Sequence, residues 1–119
     1  MNHETIAAWC EGLPGAEATA PFGPDNVVYK VGGRMFAILS LELPRVNLKG
    51  DPENNRRLRE RTDAVEPGYH MDKRHWVSVY WERGGVDADE LHALIRGSYD
   101  LIVAKLPRAT RDALGSEAA

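Results

Sequence analysis

The chain has 119 residues, 43% hydrophobic and 28% charged, with a formal net charge of −3. That is material for one core and too little for two; no run of about 18 apolar residues exists to cross a membrane, and Met1-Asn2-His3-Glu4 opens no export signal. The single cysteine, Cys10, excludes an internal disulfide and fits a soluble protein kept in a reducing cytoplasm.

Ile6, Trp9, Cys10 and Leu13 recur at helical spacing, so a helix is expected over Glu4–Glu11, with Cys10 a buried, inert thiol. Gly12 and Leu13-Pro14-Gly15 stop it. A short strand is expected from Ala16 to Phe22, ending at the turn cluster Gly23-Pro24-Asp25-Asn26. Two β-rich runs follow, 27–31 and 35–41, joined by Gly32-Gly33-Arg34, where Gly-Gly supplies the positive φ of a tight hairpin. Arg45-Val46-Asn47-Leu48-Lys49 alternates as a half-buried strand does. Val46 and Leu48 then point to the core, and Arg45, Asn47 and Lys49 line a cationic outer face.

Asp51 is a helix N-cap and Pro52 suits the first helical position, starting a helix through Arg61. Leu58 is its main apolar residue, which puts this helix on the surface with Arg56 and Arg59 turned outward. The Pro67-Gly68 turn then delivers Tyr69-His70-Met71-Asp72-Lys73-Arg74-His75-Trp76, the densest collection of rings and cations in the chain. Trp76 to Trp81 alternates as a strand and Gly84-Gly85 closes it. Asp87 and Glu90 have capping-box spacing; Leu91, Leu94, Ile95, Ser98 and Ile102 share one helical face up to Lys105-Leu106-Pro107, and a short terminal helix over 108–114 follows. His3 and His92 fall on polar helix faces, where no specific role is expected. The expectation is a single α+β domain over residues 1–119, an antiparallel sheet of about five strands packed on one face by N-terminal and C-terminal helices.

Charge is distributed unevenly. Between residues 26 and 83 there are 11 Lys or Arg against 8 Asp or Glu, leaving 4 and 10 in the two ends. Local potential, rather than net charge, steers an anionic partner, so a basic face on this acidic chain is admissible. Catalysis finds less support. His70, Asp72 and His75 have metal-compatible side chains, but no second ligand cluster accompanies them. No activated serine or cysteine, P-loop or dinucleotide fingerprint is present, and Gly32-Gly33 precedes a strand rather than a phosphate-binding helix. Neither catalytic residues, nor a metal, nor a cofactor is expected.

Taken together, Leu13-Pro14-Gly15-Ala16, Pro21-Phe22-Gly23, Lys30-Val31-Gly32-Gly33-Arg34-Met35-Phe36-Ala37, Val46-Asn47-Leu48-Lys49, the whole of Pro67 to Trp76 and the segment Ser98 to Pro107 closely resemble the MmcQ/YjbR family of small bacterial proteins, in order and over nearly the whole chain. The resemblance implies an α+β fold of the kind called CyaY-like and a DNA-binding role assigned by analogy with a double-wing domain. Fold alone does not carry that function. The residues that would carry it are Arg45, Lys49, Arg56, Arg57, Lys73 and Arg74 for phosphates, with Tyr69, His70, His75 and Trp76 for stacking or hydrogen bonding to unpaired bases. The alternatives are a module for a small anion or an acidic protein partner, and a purely structural role in which Tyr69, His70 and Trp76 lock the loop onto the sheet. A monomer or weak homodimer is expected.

Overall fold

The computed structural model describes residues 1–118, and side chains as far as Leu114. Helix α1, His3–Glu11, starts at Asn2, whose side-chain oxygen accepts the Thr5 N–H at 2.8 Å, and buries Ile6 and Cys10. Then follow β1 (Glu17–Thr19), β2 (Asn26–Val31), β3 (Arg34–Ser40), β4 (Arg45–Lys49), α2 (Pro52–Arg61), β5 (Val65–Pro67), β6 (Trp76–Tyr80), α3 (Ala88–Val103) and α4 (Arg108–Ala118). The strands form one sheet in the order β1-β2-β3-β4-β6-β5, every neighbouring pair antiparallel. No helix among the described residues is long and apolar enough to cross a membrane.

Six strands replace the expected five or so. The added one, β5, is three residues long and ends on a proline, too short to show any alternation. The expected strand from Ala16 to Phe22 contracts to β1, because Pro21 has no N–H to donate to a ladder and the chain turns at once. β1 and β5 are the outermost strands, three residues each.

Two rows of side chains cross the sheet on its helix-covered face: Tyr29, Ala37, Leu48 and Val77 in one, Val27, Leu39, Val46 and Val79 in the other. Beyond the first row, towards the hairpin, the register of β2 on β3 shifts by one residue, since Tyr29 pairs Ala37 while Lys30 pairs Met35. Phe36 is the extra residue of that bulge and is fully buried, its ring edge-on to Tyr99 of α3 at 5.5 Å. Helix α3 buries Leu91, Ile95, Ser98, Tyr99 and Ile102. Tyr99 therefore takes the place anticipated for Leu94, which is only half-buried; its hydroxyl donates to Pro14 C=O at 2.7 Å, tying α3 to the turn after α1. Both helical histidines turn out to be packing groups: His3 meets Trp81 edge-on at 5.0 Å, and His92 lies against Trp9 at 4.8 Å.

Gly32 shows why the hairpin needs glycine. Its φ is +57°, and a Cβ there would lie 2.7 Å from Leu106 Cδ1. Leu106, just beyond α3, thus packs directly on the β2–β3 turn.

Candidate nucleic-acid interface

The sheet face away from α1 and α3 carries Ile38, Asn47 and Ser78 in one cross-strand row, with Arg45 beside Tyr80 in the next. The strand alternation predicted Asn47 as part of a wet cationic surface. It is instead only 3% exposed, because the chain between β5 and β6 folds back over it. Three hydrogen bonds close that contact: Asn47 Nδ2 donates to Tyr69 C=O at 3.3 Å, the Tyr69 N–H donates to Ser78 Oγ at 3.0 Å, and Ser78 Oγ donates to Asn47 Oδ1 at 2.6 Å. Each buried polar group has a partner, so the loop is held in one place rather than resting on the sheet.

A second anchor comes from α2. Asp51 caps this helix by accepting the Asn54 N–H, as its sequence predicts. Its buried residue, though, is Asn55 rather than Leu58. Asn55 Nδ2 donates to Gly50 C=O at 3.1 Å and to Arg74 C=O at 3.0 Å, so a polar side chain fastens the far end of the loop to the helix. Within the loop Asp72 is the organiser: its carboxylate accepts the Arg74 N–H at 2.9 Å and lies 3.1 Å from His75 Nδ1. The Arg74 N–H first, then His75, hold the Asp72 carboxyl below its usual range. His75 therefore pairs with Asp72 while His70 stacks elsewhere, and among the described residues no three His, Cys, Asp or Glu side chains converge as metal ligands.

These anchors leave an open cleft of about 370 Å³ between the loop and the sheet, lined by Ile38, Arg45 and Asn47 of the strands, by Tyr69, His70 and Met71 of the loop, and by Phe22. Phe22 and Tyr69 are 58% and 52% exposed, which is unusual for rings of that size and puts apolar surface at the rim. The Arg45 guanidinium lies over the Tyr69 ring at 4.7 Å, and the His70 ring is 4.0 Å from it. His70 has φ +58°, the one non-glycine residue in the left-handed region among those described, and the hydrogen-bonded frame on either side holds it there.

The ten residues singled out from sequence do not form one surface. Arg45, Tyr69 and His70 meet at the cleft. Lys73 and Arg74 are exposed on the crest of the same loop, with His75 half-buried beside them. Trp76 is buried at 8% exposure as the first residue of β6, so its ring supports the loop from below and offers no stacking face. Lys49, opposite Trp76 in the ladder, lines a separate recess with residues of α2 and α3. Arg56 is held between Glu53 and Glu60 at 2.9 Å each, its charge spent within the helix. Arg57 lies with Leu58, Arg61 and Leu94 in a shallow depression between α2 and α3, which shares no lining residue with the cleft. Phe22, Ile38 and Met71 belong to the cleft but carried no sequence signal beyond Phe22 sitting in a Pro-Phe-Gly-Pro turn, where a buried ring is hard to place.

Comparisons with known proteins agree with this architecture. The YjbR family model matches residues 11–101. The uncharacterised protein YbdF of Escherichia coli O157:H7 is 42% identical over 106 residues, covering 85% of this chain and 84% of its own. The uncharacterised protein YjbR of Escherichia coli K12 is 30% identical over 116 residues, covering 96% and 98%. Among solved structures, a crystal structure of a Deinococcus radiodurans protein superposes with a TM-score of 0.86 at 38% identity, over 94% of this chain and 86% of that one. A Pseudomonas syringae protein gives a TM-score of 0.74 at 26% identity, over 85% and 98%.

Proposed function

The chain belongs to the YjbR family, and we propose that it binds nucleic acid without catalysis, taking an unpaired base into the cleft while phosphates meet Lys73 and Arg74. The observation that supports this reading is the exposed Tyr69 ring, gripped by Arg45 and His70 beside an apolar cleft wall and carried on a loop whose crest is cationic. A base entering the cleft can stack on an exposed ring, Tyr69 or Phe22, a contact that every base can supply. Half-exposed rings in such a cleft favour single strands or distorted sites over an intact duplex, whose bases are already stacked. Arg45 lines the cleft, and Lys73 and Arg74 are carried on the loop that flanks it; Arg56 and Arg57 have no part in this version of the interface. No cofactor enters the reading. It places a monomer or weak homodimer in the cytoplasm, where the free thiol of Cys10 would persist unpaired.

Fluorescence anisotropy with labelled single-stranded and double-stranded DNA of equal length, at low and moderate salt, tests it. Single strands are expected to bind more tightly, with affinity falling as salt rises. Tyr69→Ala should cost about 1–3 kcal/mol of binding, the worth of one base stacked on an aromatic ring. Lys73→Ala/Arg74→Ala should weaken all sequences alike and flatten the salt dependence. No anisotropy change with either DNA at low salt, or a Tyr69→Ala variant that binds as the parent does, would refute the proposal.

A further inference from the structure

Two polar side chains in the cleft beside Tyr69 are left unused by the protein itself. Arg45, the first residue of β4, is half-buried, and its guanidinium lies over the Tyr69 ring at 4.7 Å. Asn26, the first residue of β2, lines the same cleft. Apart from that ring contact, neither side chain has a hydrogen-bond or ion-pair partner among the described residues. The other amide in the cleft, Asn47, is already spent: its Nδ2 donates to Tyr69 C=O and its Oδ1 accepts from Ser78.

Asn26 faces Ser40 across β2 and β3, and Arg45 comes one residue before Val46, the partner of Leu39. The two therefore rise from the strands on either side of β3, two strand spacings or about 9–10 Å apart, and meet an occupant of the cleft from different sides. A guanidinium offers only donors, fixed in a fork, and is best matched by two acceptors side by side. Adenine and thymine alternate donors and acceptors and have no such pair; guanine has O6 with N7, and an unpaired cytosine has O2 with N3. Their donors lie differently. Cytosine carries its amino group on the same edge as both acceptors, whereas guanine carries N1–H and the N2 amino group on the edge turned away from N7, where a second side chain can accept from them.

We infer that the cleft selects guanine among unpaired bases, Arg45 donating to O6 and N7 while Asn26 Oδ1 accepts from N1–H and the N2 amino group. The inference rests on the base-binding reading above and adds to it the residues that choose the base. A phosphate could take the same guanidinium fork, but Phe22, Ile38 and Met71 give the cleft an apolar lining that suits the flat face of a base better than a hydrated anion. A phosphate there would also carry no base preference, which separates the two occupants by measurement.

Fluorescence anisotropy of the full chain at low salt, with labelled thymine strands of equal length that differ in one central base, tests it. The strand with guanine should bind about 5- to 150-fold more tightly than the all-thymine strand, the discrimination one bidentate pair supplies. Adenine and cytosine should gain far less. A 7-deazaguanine, which lacks the N7 acceptor, should lose most of the advantage, and hypoxanthine, which lacks the N2 amino group, should lose part of it. Arg45→Lys keeps the charge and removes the fork, so it should level guanine with the other bases, while Asn26→Ala should narrow the gap between guanine and cytosine. The base analogues leave the protein untouched, so their result is independent of how any variant folds. Equal binding of every strand, or 7-deazaguanine or cytosine held as tightly as guanine, overturns the inference; the cleft reading outlives it if Tyr69→Ala still weakens those strands. Absence of binding to any strand removes both.

Discussion

Ser98→Ala removes a single oxygen, yet it should be among the most damaging conservative changes in the molecule. Ser98 is fully buried, and its hydroxyl serves the Lys49 N–H at 2.9 Å and the Phe36 C=O at 2.6 Å. Alanine leaves a strand donor and a strand acceptor facing each other across a gap with no partner. Each unsatisfied buried group costs about 1–3 kcal/mol, so the pair together should cost about 2–4 kcal/mol once partial relaxation is allowed. At this chain length each kcal/mol moves the melting point by about 4 °C, so a fall of about 8–16 °C is expected. Urea unfolding followed by the fluorescence of the three tryptophans reads it directly: the midpoint should drop with an unchanged slope. Amide exchange at Lys49 should accelerate beyond what the global loss accounts for. A destabilisation below about 0.5 kcal/mol, the scale of an ordinary surface change, would show that the strands close on each other without the wedge and that the serine is not what completes the ladder.

Asn55→Ala should cost about 2 kcal/mol, because two carbonyls under α2 lose their donor, and hydrogen exchange should rise across residues 70–75 more than in α3; unchanged loop protection would mean that α2 does not hold the loop. Gly32→Ala should destabilise by about 1–3 kcal/mol in urea, part from the left-handed backbone and part from displacing Leu106; a neutral result would mean the turn relaxes to negative φ. Burial, with Glu11 adding, pushes the Cys10 thiol from 9.0 up to about 12 and raises the Tyr29 phenol in the same direction. The folded chain therefore keeps protons that the unfolded chain releases, so this contribution to stability is intact below pH 9.0 and is lost as pH rises towards 12. Urea midpoints across that interval should fall, with Cys10→Ala removing the earlier part of the decline; a flat profile in the parent would contradict the burial of both groups.

The regular elements were legible because periodicity and caps announce them. Asn2 escaped notice, but Asp51 with Pro52, the Asp87 cap and the Gly32-Gly33 turn all act as their chemistry predicts. What the sequence hid were polar residues used as internal fasteners. Asn47, Asn55 and Ser78 sit in strands and a helix where polarity reads as solvent exposure, yet all three are buried, while Ser98, already placed on the apolar face of its helix, hid its strand partners instead. Their partners lie up to 62 residues away, as Ser98 does from Phe36, and no local pattern reveals such a pairing. The interface was half legible for the same reason. The Tyr69–His75 run was visible as a cluster, but Trp76 is covered by the returning loop at Gly68, and Arg56 is consumed by carboxylates one helical turn to either side. The reach of α3's far end to the hairpin was equally invisible, since only the packing of Leu106 on Gly32 brings the two together.

The margins of the sheet bear on how the molecule behaves when crowded. A six-stranded antiparallel layer with one side largely free of helices would ordinarily invite another chain to extend it, growing towards fibres. Here each border strand offers only three residues, one begins with an exposed glutamate and the other finishes in a proline that can donate nothing. An incoming strand would find too few rungs to repay its ordering, so concentrated solutions should stay free of thread-like aggregates even though the middle of the layer is long and rich in β-branched residues.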